Sequence, residues 1–300
     1  MMHKPQNTSM VFRYNTLLFS AILVLAAALS MLFLNFAADR FERYEIRNME
    51  KAMRLAADDL ENQYEILEDI ARQIQITSFY QPNVVRLSAT REIELLKYFI
   101  YFKNYSPIVD TYFLIYPDLF PERMKVFTSD GKTSYFRYYG ASTFGVNAEE
   151  AEKIYEVIAQ ARDNTVFTVK EKAVFVFPMR FVETQLPDSR AVAAFVIPIK
   201  TLEKRMYETA AGLPDHTVCI LNGLKIGSEG TGEESVSIQV SSEKQTSTAC
   251  AFVKTDKWQI LRSSIPAWMF AGFAVCLFLV SAVHTGRTPT TQKKELSATM

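Results

Sequence analysis

Histidine occurs three times in the 300 residues, at His3, His216 and His284, and cysteine three times, at Cys219, Cys250 and Cys276. These residue types most often ligate metals or serve as nucleophile and base, and here they are scattered. No His, Cys and carboxylate set has the short spacing of a zinc site. The GxSxG elbow of a serine hydrolase is absent, as are the HRD and DFG loops of a protein kinase. The most glycine-rich stretch, "GSEGTGEE" at 227–234, has no phosphate-loop lysine and misses the dinucleotide spacing, so it reads as a hairpin tip. The expected chemistry is binding, not catalysis, and no cofactor or metal is expected.

Binding groups are better supplied. Aromatic side chains recur in "IVDTYFLIYP", "TSYFRYY" and "AVFVFPMRFV", and the last two stretches each carry one arginine, Arg137 and Arg180. Tyr112, Tyr116, Arg137, Tyr139, Phe175 and Arg180 could line a pocket for a small organic ligand, with ring faces for its body and guanidinium groups for its polar end. Each also fits an ordinary place, the rings as core and the arginines as snorkelling chains at its rim.

The elements that must position them lie between two apolar runs. Charges balance, 33 basic against 33 acidic, so nothing favours a polyanion and no direct nucleic-acid binding is expected. "TLLFSAILVLAAALSMLFLNF", residues 16–36, is uncharged and as a helix spans roughly 31 Å, a bilayer core. A signal peptide would have a shorter apolar core and a small-residue cleavage site, which Asn35 and Phe36 fit poorly. A second uncharged run, 265–283, is flanked by Trp258 and carries Trp268, which suit a membrane interface. Lys4 and Arg13 precede the first run, and Arg287, Lys293 and Lys294 follow the second. By the positive-inside rule both tails, 1–15 and 284–300, are expected in the cytoplasm and 38–264 outside the cell. The second tail has too few apolar residues to bury a core.

Between the runs, residues 38–79 read as one long helix without Gly or Pro. Ile46, Met49, Met53, Ala56, Leu60, Gln63, Leu67, Ile70 and Ile74 step by three and four, forming one apolar stripe. That stripe suits either a parallel homodimer or the domain's own sheet. A second helix is expected over 90–105 with Ser88 as its cap, then strands in "IVDTYFLIYP", "MKVFTS" and "TSYFRYY", the last two joined by "SDGK". A helix capped by Asn147 follows, then strands "TVFTV", "AVFVFPMRFV" and "AVAAFVIPI", and a short helix "KTLEKRMYETAA". Residues 213–264 form a smaller β unit of "TVCILNG", "SVSIQVS", "TACAFVK" and "KWQIL". A Cys219–Cys250 disulfide there would contribute roughly 3–4 kcal/mol, and two separate buried thiols are the alternative. Cys276 is a small apolar filler in the second run.

This order resembles the extracellular double Cache sensor of bacterial membrane receptors. "VFTSDGK" resembles the family's central hairpin, and "AVFVFPMRF…AVAAFVIPIKTLEKRM" its closing strands and exit helix. The layout is most similar to the sensor half of membrane-bound AraC-type transcription regulators, and next to two-span histidine kinases. The resemblance implies an α+β fold in which two transmembrane helices flank a PAS-like sensor on a long stalk helix. The sheet would carry helices on one side, and the membrane-distal module, 80–212, would hold a small-molecule pocket. Amino-acid-binding members place an Asp where this chain has Lys170, Glu171 and Lys172, which argues against an amino-acid ligand. The expectation is the input half of a receptor, contacting lipid through its spans and working with a cytoplasmic effector on a separate or truncated chain. A membrane-anchored extracellular binding protein without signalling output is the alternative.

Overall fold

The computed structural model describes residues 7–253 except Ser88, Glu122, 182–189, 228–235 and 245–246. The second apolar run, the C-terminal tail with Cys276, the loop "ETQLPDS" and the strand expected in "KWQIL" lie outside the described residues. The chain divides into two compact units, 1–47 with 255–300, and 48–254.

Helix α1, Asn7–Ile76, is continuous over 70 residues because no Gly or Pro interrupts it. In the first unit its side chains Leu18, Ile22, Leu29 and Phe33 are more than half exposed, whereas Ala38 is buried. Counted over the described residues alone, no helix is long and apolar enough to cross a membrane; the uncharged stretch 16–36 is a property of the sequence.

The second unit contains two antiparallel sheets. The larger is built from β1 (Thr111–Ile115), β2 (Lys125–Thr128), β3 (Thr133–Tyr135), β4 (Thr165–Val169), β5 (Lys172–Arg180) and β6 (Arg190–Pro198), in the order β3-β2-β1-β6-β5-β4. The smaller contains β7 (Val218–Leu221), β8 (Leu224–Ile226), β9 (Val236–Ser241) and β10 (Ser247–Val253), in the order β8-β7-β10-β9. The further α-helices among the described residues are α2 (Pro82–Leu87), α3 (Ala89–Tyr101), α4 (Phe136–Phe144), α5 (Ala148–Gln160) and α6 (Ile199–Thr209). The cap predicted at Asn147 is present at α5, and the structure makes it a capping box: Asn147 Oδ1 accepts from the Glu150 amide at 2.8 Å while Glu150 accepts from the Asn147 amide. The "SDGK" turn joins β2 to β3, with Gly131 at φ 71°.

The large sheet is covered on both faces, not one. Successive strand residues point to opposite sides. Phe113 and Ile115 of β1 pack into one core with Phe136 and Phe144 of α4 and Tyr155 and Ile158 of α5. Tyr112 and Tyr116 face the other way, where their hydroxyls donate to the carbonyls of Phe99 and Tyr80. This double cover is why "AVFVFPM" and "AVAAFVI" are unbroken apolar runs.

The apolar stripe of α1 is consumed inside the unit. Met53, Ala56, Leu60, Leu67, Ile70 and Ile74 are all buried, and so is Gln63. Tyr64 stacks on Phe175 and Phe177 of β5 with ring centroids 6.2 and 5.4 Å apart. The stripe therefore serves the protein's own sheets and is not available between Met53 and Ile74 for a homodimer. Polar groups beside it fix register. Ser247 Oγ donates to the Ala57 carbonyl at 2.7 Å, the Glu243 amide to Asp58 at 2.9 Å, and Arg205 of α6 grips Asp59 with two bonds of 2.8 and 2.9 Å.

The possible Cys219–Cys250 disulfide is excluded by register. Cys219 pairs with Ala249 and Cys250 with Val218, so the two thiols point to opposite faces of the small sheet, and neither is bridged. Burial, with the Cys250 thiol nearby, pushes Cys219 up to about 12, so it stays a protonated thiol at neutral pH.

Two outcomes follow. Dithiothreitol should leave the denaturation midpoint of the protein unchanged; a clear drop would mean a bridge exists. Arg205→Ala, which leaves the Asp59 carboxylate, at 13% side-chain exposure, with the Thr209 hydroxyl at 3.4 Å in place of its ion pair, should cost about 1.5–3 kcal/mol in urea denaturation with an unchanged slope.

Candidate functional site

The six pocket residues expected from the sequence do not converge. Tyr112, Tyr116 and Phe175 lie together on the α1–α3 face of the large sheet, all buried. Tyr112 packs edge-on to Phe99 at 4.6 Å and on Phe195 at 5.7 Å. With both hydroxyls committed to helix-end carbonyls, these tyrosines act as pins between sheet and helices. Burial holds the Tyr116 phenol well above its ordinary range, so it remains a neutral donor.

Arg137 and Tyr139 are separated by a change of backbone. "TSYFRYY" is strand only to Tyr135; α4 begins at Phe136. At about 100° per residue, positions two apart on a helix lie on nearly opposite sides. Phe136 and Gly140 face the sheet, Tyr139 is half-buried, and Arg137 faces solvent, paired with Glu152 at 3.2 Å. Arg180 ends β5 with an exposed side chain, and its carbonyl accepts from Gln75 Nε2 at 2.6 Å.

The structure instead assembles a hydroxyl cluster at one end of the α4–α5 face. Thr111 heads β1, Ser129 follows β2, and Tyr139 reaches down from α4. Thr111 Oγ1 lies 2.6 Å from the Tyr139 hydroxyl and 3.0 Å from Ser129 Oγ. Burial raises the Tyr139 phenol and the charge of Asp130 adds to this, while hydrogen bonds with Thr111, Thr143 and Ser129 pull it down. The next pairs outward are Lys172 with Asp110 at 2.9 Å and Lys170, whose ammonium donates to the Gly145 carbonyl at the end of α4. Glu171, between them, pairs with Lys200 at 3.3 Å. Hydroxyls that exchange donor and acceptor roles suit a small, neutral, polar ligand. The β4–β5 turn spends both lysines on the protein itself and offers no uncommitted carboxylate for an ammonium.

Toward the other end of the same face Tyr155 projects from α5 into the core. It is 5% exposed, and its hydroxyl has no hydrogen-bond partner among the described residues. Sequence reading missed Thr111, Ser129 and Tyr155. Only the position of Ser129 beside the "DG" turn hinted at a role. Among the described residues no group of His, Cys, Asp and Glu could hold a metal ion.

The sequence matches no protein-family model and no curated protein. Among solved structures, it is similar to the sensory domain of the Campylobacter jejuni chemoreceptor Tlp3 with isoleucine bound, at 11% identity and a TM-score of 0.48, over 76% of this chain and 98% of that one. The extracellular domain of vpHK1S-Z8 aligns at 8% identity and a TM-score of 0.46, over 76% and 96%. The periplasmic domain of Vibrio cholerae LuxQ aligns at 10% and 0.30, over 73% and 99%. None of these similarities is high enough to carry a ligand or a residue's role across.

The Tyr155 phenol gives a testable pH dependence. Burial first, then the charge of Asp118, raises it from 10.0 to about 12. Because the folded value is the higher, the stabilisation is complete below about pH 10 and is lost as pH rises towards about 12. Thermal midpoints measured across that window should fall, and Tyr155→Phe should fall less steeply. Since the hydroxyl is unpartnered, the same variant should be no less stable than the parent at pH 7. A loss of more than about 1 kcal/mol there would show a hidden partner.

Proposed function

We propose that this chain is a membrane-anchored sensor of the double Cache type, the input part of a signal-transduction receptor that responds to a small polar molecule outside the cell. The observation that supports it most is α1. One uninterrupted helix carries the uncharged stretch 16–36 and, further along, the stripe that packs both sheets of the 48–254 unit. In this reading ligand binding moves the large sheet and α1 together, and α1 carries the motion to the bilayer. The element order also supports it, since the resemblance implies a long helix, a large sheet with a central hairpin, an exit helix and a small sheet.

The ligand is placed beneath α4, against Tyr139, Thr111 and Ser129. A second span at 265–283 completes the anchor and places both tails in the cytoplasm. The effector, of AraC-type regulator or histidine-kinase kind, is then supplied by a separate or continuing segment.

Two experiments test this. In a background without native cysteines, an impermeant maleimide applied to intact cells should label Asp130→Cys but not Lys293→Cys; the reverse pattern overturns the topology. A 38–264 fragment should fold alone and be stabilised in a thermal-shift screen of small polar molecules. Tyr139→Phe should weaken that binding about tenfold, the equivalent of about 1.4 kcal/mol, whereas Arg137→Ala should leave it unchanged. Full retention of binding by Tyr139→Phe would place the ligand elsewhere.

A further inference from the structure

Strand β4 ends its pairing at Thr165 opposite Val176, but β5 continues through Phe177, Pro178, Met179 and Arg180, where β6 is its strand partner among the described residues. Pro178 has no N–H to offer, as befits an edge. Beside this edge lies a cavity of about 220 Å³ lined by Glu68, Ala71, Arg72 and Gln75 of α1, Asn164, and Phe177, Pro178 and Met179. It is remote in topology from the hydroxyl cluster, since Phe177 and Met179 belong to the opposite, α1 face of the sheet.

Its hydrogen-bonding capacity leans towards acceptors, with one further N–H each on Gln75 and Asn164. Gln75 spends its amide N–H on the Arg180 carbonyl at 2.6 Å, which leaves its carbonyl oxygen as an acceptor. Asn164 donates to Glu68 Oε1 at 3.2 Å and also hydrogen-bonds the Tyr64 hydroxyl, which leaves most of the Glu68 lone pairs and lone-pair capacity on the Asn164 carbonyl oxygen. Glu68 makes no ion pair among the described residues. Among the described lining residues the one cation is Arg72, which pairs with Asp69 at 3.2 Å. Three acceptors, one of them anionic, thus line a space whose other walls are Ala71, Phe177, Pro178 and Met179. An ammonium group has three donors and no acceptor.

We propose that this cavity binds a small primary alkylamine, its ammonium on Glu68, Gln75 and Asn164 and its chain on Phe177 and Met179. The site stands apart from the ligand cluster beneath α4 and is independent of the sensor reading. Seated between α1 and the free edge of β5, such an amine tightens the joint between the helix and the large sheet.

Isothermal titration of the full-length chain in detergent micelles tests this with three probes, n-butylammonium, tetramethylammonium and 1-butanol. Butylammonium should bind, tetramethylammonium at least about tenfold more weakly because it has no N–H, and butanol without measurable heat. Glu68→Gln should weaken butylammonium about tenfold or more. Gln75→Met, which removes an acceptor without touching a charge, should weaken it several-fold and serves as the second variant if Glu68→Gln misfolds. Absence of butylammonium binding, equal binding of tetramethylammonium, or full affinity in the folded variants each overturns the proposal.

Discussion

Everything in the 48–254 unit depends on one face of α1. Its apolar stripe meets the large sheet through Tyr64, Phe175 and Phe177, and its polar flank holds the small sheet and α6 through Ala57, Asp58 and Asp59. Burying a side chain such as Leu60 or Leu67 stabilises by roughly 1.5–3 kcal/mol, and the stripe holds several of these. The bidentate Arg205–Asp59 pair adds direction, because two parallel bonds fix orientation as well as distance. Lys244 with Glu65 and Asn164 with Glu68 extend the polar edge along the helix. A helix bonded at so many points cannot slide relative to one sheet without disturbing the other.

That constraint explains which parts of the fold could be read from sequence. Strands β4, β5 and β6, helix α5 and its Asn147 cap all fall where local pattern puts them, because local pattern is what makes them. The partner of the α1 stripe was not legible. A three-four repeat records that one side of a helix is dry, and a facing helix and a facing sheet leave the same repeat. The hairpin from β7 to β8 was legible and went unread. Asn222 and Gly223, at φ 48° and 84°, form the left-handed pair that a two-residue hairpin needs. The thiols needed more than pattern, since only strand register shows that Cys219 and Cys250 are on opposite faces.

The site was less legible than the fold, for a physical reason. In a sheet covered on both sides, both faces are apolar, so the period-two signal that assigns a residue to a face disappears. Tyr112 and Phe113 look alike in sequence yet serve different cores. Arg137 and Tyr139 look like neighbours on a strand, but the onset of α4 at Phe136 turns one to solvent and the other to the sheet. The residues that do assemble, Thr111, Ser129 and Tyr139, are drawn from a strand start, a turn and a helix, and no local spacing connects them.

The two faces of the large sheet differ in how their polar groups are satisfied, and this difference gives the sensor reading its mechanical sense. On the α1–α3 face, Tyr112 and Tyr116 donate to backbone carbonyls at Phe99 and Tyr80, groups fixed by the chain itself. Replacing such a bond would leave a buried acceptor unsatisfied, which is costly. On the α4–α5 face the bonds run between side-chain hydroxyls, which rotate and can exchange one partner for another, and Tyr155 has spare capacity. A ligand can therefore be accommodated on the α4–α5 side by trading hydroxyl partners, while the α1 side resists rearrangement. With one face compliant and the other pinned, the sensor reading we propose has a change beneath α4 pass through the sheet to α1, the element to which both sheets are bound.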